Sequence, residues 1–380
     1  IEGTNFTGSL LVGHSTTGTL SSALGNTGIG IAALDGLTSG DYNVAVGNEA
    51  GANITTGSQN ILIGRQAGLS LTTGSNNVAV GHGSLKTEDT HGKNVAIGYE
   101  TLKNQDAGSD AYNVAMGYQA GVAVTTGNKN TFLGGEAAQT NTVGYKNTAL
   151  GFQALTSNAD GSNNVAVGYR ALLSMDPASA TETYNVAVGH DAGLYVSTGV
   201  QNTLIGGLAG DALTTGSNNI IIGYNAIASA VDVSNEVTIG NSSVANVRIP
   251  SDSTLKIGAS GDLQLEHLSS NSFIKNTAVG DLYIENQVDD KDIIFRSDDG
   301  SGGLATYFKL DGSFADSTFR YTVWEDNSIV ALGSNADLSI YHDATNSIIS
   351  NSTGHLTIQN NLDDGDIIFK SDDGSGGTTE

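Results

Sequence analysis

Fourteen glycines, Gly13, Gly30, Gly47, Gly64, Gly81, Gly98, Gly117, Gly134, Gly151, Gly168, Gly189, Gly206, Gly223 and Gly240, beat out a 17-residue period over the first two thirds of the chain. Such a rhythm specifies a stack of equivalent rungs, each packed on its neighbours, in place of one globular core. Four residues before the glycine stands Asn26, Asn43, Asn60, Asn77, Asn94, Asn113, Asn130, Asn147, Asn164, Asn185, Asn202 or Asn219, with Ser9 and Glu236 in the first and last copies. The residue just before the glycine is always aliphatic or Met, and the third after it is Ala, Ser or Thr. The spacing lengthens twice, by two residues between Gly98 and Gly117 and by four between Gly168 and Gly189. The extra pieces, around Asp106 to Ala111 and Met175 to Thr183, are polar and are expected to loop out with the register kept.

Units such as Asn43-Val44-Ala45-Val46-Gly47 and Asn219-Ile220-Ile221-Ile222-Gly223, preceded by Thr-Thr-Gly-Ser-Asn-like segments, read as short strands bounded by turns. Seventeen residues suffice for one coil of a parallel β-solenoid, with each strand about 4.8 Å from its copy in the next rung. About 14 coils would make a rod on the order of 65 Å long. In this arrangement the Asn slot becomes a ladder of amides bonded to one another or to turn backbone. The glycines supply positive φ or close approach at a corner, so both slots are structural. Strand alternation places slots one and three of the burst (Val44, Val46) in the thin interior and slot two (Ala45, Leu62, Ala79, Phe132 and equivalents) outside. Thirteen of the fourteen slot-two residues are nonpolar, so something must cover that face. Of the two covers, a second wall of the coil or a neighbouring subunit, the narrowness of the coil favours the subunit.

After Pro250 the beat gives way to a longer duplication. Ile257–Asn276 repeats as Leu332–Asn351 at an offset of 75, and Asp292-Ile293-Ile294-Phe295-Arg296-Ser297-Asp298-Asp299-Gly300 returns from Asp366 at an offset of 74. Short alternating strands separated by Asp, Asn and Gly turns make this a tandem all-β array. The domains are accordingly a solenoid shaft over 1–248, a first copy of the longer repeat over 249–329 and a second, truncated copy over 330–380. The second copy stops inside its motif and the chain starts at Ile1, which reads as a segment of a longer fibre.

The Asn-Val-Ala-Val-Gly unit resembles the head repeat of trimeric autotransporter adhesins. Continued as Met116-Gly117-Tyr118-Gln119-Ala120, it is similar to repeats in tail fibres of marine bacteriophages, as are Asp337-Leu338-Ser339-Ile340-Tyr341-His342-Asp343 and the Asp-Ile-Ile-Phe strings. The resemblance implies an elongated homotrimer: a virion fibre that extends from the particle, bears on host attachment and meets other tail proteins and a host surface glycan or outer-membrane component. A bacterial surface adhesin is the alternative, and a tailspike-type glycan depolymerase a third.

Charge and chemistry fit a structural role. Residues 1–250 carry 17 acids and 8 bases and residues 251–380 carry 22 and 7, net charges of −9 and −15, which disfavour nucleic acid and anionic membranes as partners. No apolar run approaches the ~20 residues of a membrane-spanning helix, and with no Cys there is neither disulfide nor thiolate site. Nucleophile elbow, zincin helix and phosphate loop are all missing from the sequence, so no enzyme activity, cofactor or metal is expected. His82 and His190 share a slot but lie too many coils apart to ligate one ion. Asp289-Asp290, Asp298-Asp299, Asp363-Asp364 and Asp372-Asp373 lack EF-hand spacing and read as solvated turn acids. The slot after the glycine holds Tyr99, Tyr118, Phe152, Tyr169 and Tyr224, with His14, His82 and His190 in other copies. It is the candidate recognition surface, through stacking on glycan rings, and the competing account is corner packing between rungs.

Overall fold

The computed structural model describes residues 9–13, 22–244, 254–257, 263–268, 271–277, 280–313, 321–372 and 378–379. The chain divides into two compact units, Ile1–Val247 and Arg248–Glu380. Among the described residues all regular structure is β.

In the first unit each Val- and Ile-rich burst forms a three-residue strand. Fourteen of them, from Leu10–Val12 to Val237–Ile239, make one parallel sheet in chain order, so the unit is a β-solenoid of 13 turns between first and last strand. Both insertions preserve the pairing: Val95 lies opposite Val114 and Val165 opposite Val186. The loops are narrower than the sequence suggests, because Ala111, Met175 and Thr183 at their ends are fully buried.

Outside this sheet the coils are mostly corner, apart from a short parallel pair, Gly161–Ser162 with Thr181–Glu182. Positive φ recurs at four positions per coil: before the Asn (Tyr42, Gln59), at the repeat glycine, and two and four residues after it (Glu49 and Gly51, Gln66 and Gly68). The repeat glycine is indispensable on two grounds. At Gly64 φ is +133°, and a Cβ would lie 2.5 Å from the carbonyl oxygen of Gly81 in the next rung, well inside van der Waals contact.

The two faces of the strand are opposite to the alternation argument. Slot two points inward: Ala45, Leu62, Ala79, Phe132, Ala149, Leu204 and Ile221 are fully buried, whereas slots one and three are half-buried or exposed. The reason is volume. The interior is narrow enough that the sheet contributes mostly Ala, and Leu from the opposite wall fills the remainder, as in the fully buried pairs Ala79 with Leu85, Ala96 with Leu102 and Ala166 with Leu172. Large slot-two side chains such as Leu62 and Phe132 lie against glycine of the opposite wall in their own or the preceding rung. A Cβ on Gly51 or Gly68 would meet the Leu62 methyls at 2.6 and 2.7 Å, and one on Gly121 would meet the Phe132 ring at 2.8 Å. Core volume is thus traded between adjacent rungs, the glycine of one making room for the large side chain of the next, as close packing demands.

The asparagines form an unbroken ladder. Each Oδ1 accepts the backbone N–H of the next slot residue, as in Asn43 to Asn26 (2.8 Å) and Asn147 to Asn130 (2.8 Å), and most Nδ2 groups donate to a turn carbonyl, as from Asn43 to Gly57 (2.8 Å). Ser9 and Glu236 sit where the ladder ends: the Ser9 hydroxyl accepts from Asn26 and Glu236 N–H donates to Asn219. Asn60 accepts from Asn77 N–H and donates to Gly74 O and Asn43 Oδ1. Asn60→Ala strips buried groups of their partners and is expected to lower stability by about 3 kcal/mol in chemical denaturation.

The second unit bears out the duplication in its pairing. Thr254–Ile257, Leu263–Leu268 and Asn271–Asn276 form an antiparallel three-stranded sheet, and Ile329–Leu332, Leu338–His342 and Ser347–Asn351 form its equivalent. Leu263 pairs with Asn276 as Leu338 pairs with Asn351. A third sheet, Ile293–Asp298, Leu304–Asp311 and Tyr321–Val323, stacks Phe295 on Phe308 and Phe308 on Trp324.

Candidate functional site

Because the slot after the repeat glycine follows a fixed corner, its side chains line up in one column. His82, Tyr99 and Tyr118 stack with centroids 5.2 and 5.4 Å apart, and Phe152, Tyr169 and His190 stack at 5.8 and 5.0 Å. Tyr224 stands in the same slot further along and is 69% exposed. His14 lies outside the described residues. Gly135 and Gly207 occupy the slot between Tyr118 and Phe152 and between His190 and Tyr224, so the column is interrupted twice. The Arg170 guanidinium lies over Tyr169 (5.0 Å) and pairs with Asp191 through two hydrogen bonds of 2.7 and 2.8 Å. That carboxylate holds the guanidinium even higher than its ordinary range.

This geometry decides what the aromatic column offers. Rings stacked face to face use their faces on each other and turn only edges to solvent, which suits packing between rungs better than stacking on a flat sugar. Free faces are left only beside Gly135 and Gly207 and at the ends of the stacks. His82 and His190 belong to separate stacks, and Arg65 Nη1 lies 2.9 Å from His82 Nε2.

A second cluster was not singled out by the sequence reading. Glu88 occupies the core slot filled by Leu37, Ile54, Leu71 and Leu213 in other coils, and its side chain is fully buried. His91 N–H donates to Glu88 Oε1 (3.2 Å), His91 Nδ1 lies 3.7 Å from that oxygen, and Thr90 Oγ1 is 3.0 Å from Nδ1. One ligand atom each from Glu88, Asp89 and His91 lies within 4.8 Å of the other two. Burial, reinforced by the charges of Asp106 and Asp89, pushes the Glu88 carboxyl up to about 7. The available signal was the break in the repeat: an acid where the preceding rungs place Leu37, Ile54 and Leu71.

A carboxyl raised in the folded state disfavours folding once it must ionise. The penalty is zero below the unfolded value of 4.5, grows as pH rises towards 7 and is complete above it. In chelator-treated protein, Glu88→Leu is expected to raise stability by about 2 kcal/mol more at pH 8 than at pH 4.5, after discounting for screening by solvent at the half-exposed Asp89 and His91. Denaturation of both proteins at the two pH values checks this, and a gain independent of pH would mean that Glu88 ionises freely.

Two of the turn acids of the second unit are engaged by their own loop. Asp298 accepts from Gly300 N–H, and Asp299 Oδ1 accepts from Ser301 N–H, Ser301 Oγ–H and Gly303 N–H. Asp373 lies outside the described residues. His267 and His342 occupy equivalent strand positions, opposite Ser272 and Ser347. Among the described residues no helix is long and apolar enough to cross a membrane.

No protein-family model, curated protein or solved structure matches the chain.

Proposed function

We propose that this chain is a structural shaft segment of an extracellular fibre in which three copies pack along the outer faces of their sheets. The observation that carries this is the face itself. Slots one and three of the fourteen strands present Leu10, Val12, Ile29, Ile61, Ile63, Met116, Leu150, Ile205, Ile220 and Ile222 at 37–51% exposure, and no strand of the sheet puts a charge there. A chain of net charge −24 thus keeps one face entirely free of charge. Its apolar area, on the order of 1,500 Å², is beyond a typical monomer patch and ample for a stable interface. Identical faces carry no net charge to repel one another, so a copy of the chain fits where an acidic partner surface would not.

The fibre reading rests on three supports: a quasi-one-dimensional stack, a tandem second array, and the resemblance of the Asp337–Asp343 and Asp-Ile-Ile-Phe strings to phage tail-fibre repeats. Together they favour a virion fibre with a part in host attachment over a bacterial surface adhesin, and a structural role over an enzyme. The solution mass of the assembled particle tests the proposal. Three times the 38.7 kDa chain is expected, and a monomer at micromolar concentration overturns it. Adsorption of the assembled particle to cells, compared for wild type and the pair Tyr118→Ala and Tyr169→Ala, then separates recognition from packing: lost stability with adsorption retained assigns the column to packing.

A further inference from the structure

We infer that the corner formed by Glu88, Asp89 and His91 is a binding site for a borderline divalent metal ion such as zinc, held by two carboxylates and one imidazole. Glu88 is the only acid in a core slot that is otherwise aliphatic, Met or amide among the described coils, and an aliphatic residue there would satisfy the fold. Its carboxylate has only one partnered oxygen. Oε1 takes the His91 N–H, while Oε2 is buried with no hydrogen-bond partner. A buried acceptor left unmatched is costly.

The neighbouring rungs show that Glu88 does not serve the ladder. Gln105 and Asn141 occupy the same slot and accept from the ladder amides Asn113 Nδ2 (2.6 Å) and Asn147 Nδ2 (3.3 Å). At the Glu88 rung the equivalent donor, Asn94 Nδ2, is buried without a partner. The carboxylate is therefore engaged at the corner, where Oε1 faces the imidazole, and not at the amide ladder.

The donor set fits the ion. Two carboxylates and a neutral imidazole balance a dication, and a nitrogen ligand with few oxygens favours zinc, cobalt or nickel over calcium or magnesium. Donor atoms within 4.8 Å of each other need to close by at most about 1.5 Å to sit around a tetrahedral ion at ~2.0–2.1 Å. The corner sits at the exposed edge of the coil, with 27% of the His91 side chain accessible, so an ion has a route in. Water completes the fourth position.

The test uses the full chain, stripped with chelator and titrated with Zn²⁺ by calorimetry, with Ca²⁺ as the comparison ion. One Zn²⁺ per chain is expected, with a raised Tm and no comparable response to Ca²⁺. His91→Ala and Glu88→Gln should each weaken that uptake at least ~tenfold. Glu88→Leu, which restores the residue found at Leu71 and therefore keeps the fold, should abolish it. Stoichiometric binding that survives Glu88→Leu and His91→Ala would place the ion elsewhere and overturn the assignment, as would absence of zinc uptake by wild type at about 100 µM.

Discussion

Met116→Lys combined with Leu150→Lys is expected to convert the proposed three-chain particle to single chains while leaving the solenoid folded. Both residues stand in slot three of the outer face, two rungs apart, at 45% and 44% exposure. Within one chain a lysine at either position reaches water, so the sheet pairing of Ala115 with Phe132 and of Ala149 with Ala166 is untouched. In a packed interface the same ammoniums are desolvated without an anion to meet them, because the facing strands carry none. Each unpaired buried charge costs about 3–5 kcal/mol, and three copies bring six of them together, so association should weaken by more than ~10⁴-fold. Light scattering or sedimentation reads the mass, and circular dichroism confirms the fold. A double variant that keeps the mass of the wild-type particle would move the interface off this face.

Gly64→Ala is expected to be strongly damaging to the solenoid. It meets two penalties at once: φ of +133°, a region L residues avoid, and a Cβ set 2.5 Å from the Gly81 carbonyl oxygen and 2.6 Å from its carbon. Both obstacles are backbone of the adjoining rung, so no rotamer change relieves them. Only widening the spacing between these two rungs would, and that breaks the hydrogen bonds from Gly81 N–H to Ile63 O and from Ile61 N–H to Asn77 O. A loss of about 3–5 kcal/mol follows from strain and clash together. Gly108→Ala is the control. Its φ is +65° and open space surrounds the site, so the cost should be only about 1 kcal/mol. Because each rung leans on its neighbours, hydrogen exchange should show the Gly64→Ala loss concentrated between Val44 and Ile97. Equal losses in the two variants would mean that close approach of the rungs is irrelevant.

The repeat was legible in the sequence because every rung solves the same steric problem. Gly at the corner, Asn before the strand and an aliphatic residue before the glycine each answer a local requirement, and local requirements repeat with the chain. The site was less legible. The aromatic slot could be read as a column, but not that its rings stack face to face and leave only edges, since this depends on the ~5 Å rung spacing at that corner. Glu88 passed unnoticed because its neighbours Asp89 and His91 look like ordinary turn residues, and only the folded coil shows that position 88 points into the core.

By itself the sequence determined the 17-residue period, the strand register across both insertions, and the change of rhythm into a duplicated array of short strands. These follow from backbone chemistry: only glycine accepts the corner at Gly47 or Gly64, and an amide side chain suits the ladder at Asn43 or Asn60. Tertiary structure alone decided which face of the strand is the interior. Val44, Ala45 and Val46 are all apolar, so alternation carries no polar signal to set the phase. The corners, with their four positive-φ positions per coil, turn Ala45 inward and both valines outward, as they turn Leu62 and Phe132 inward in their own rungs.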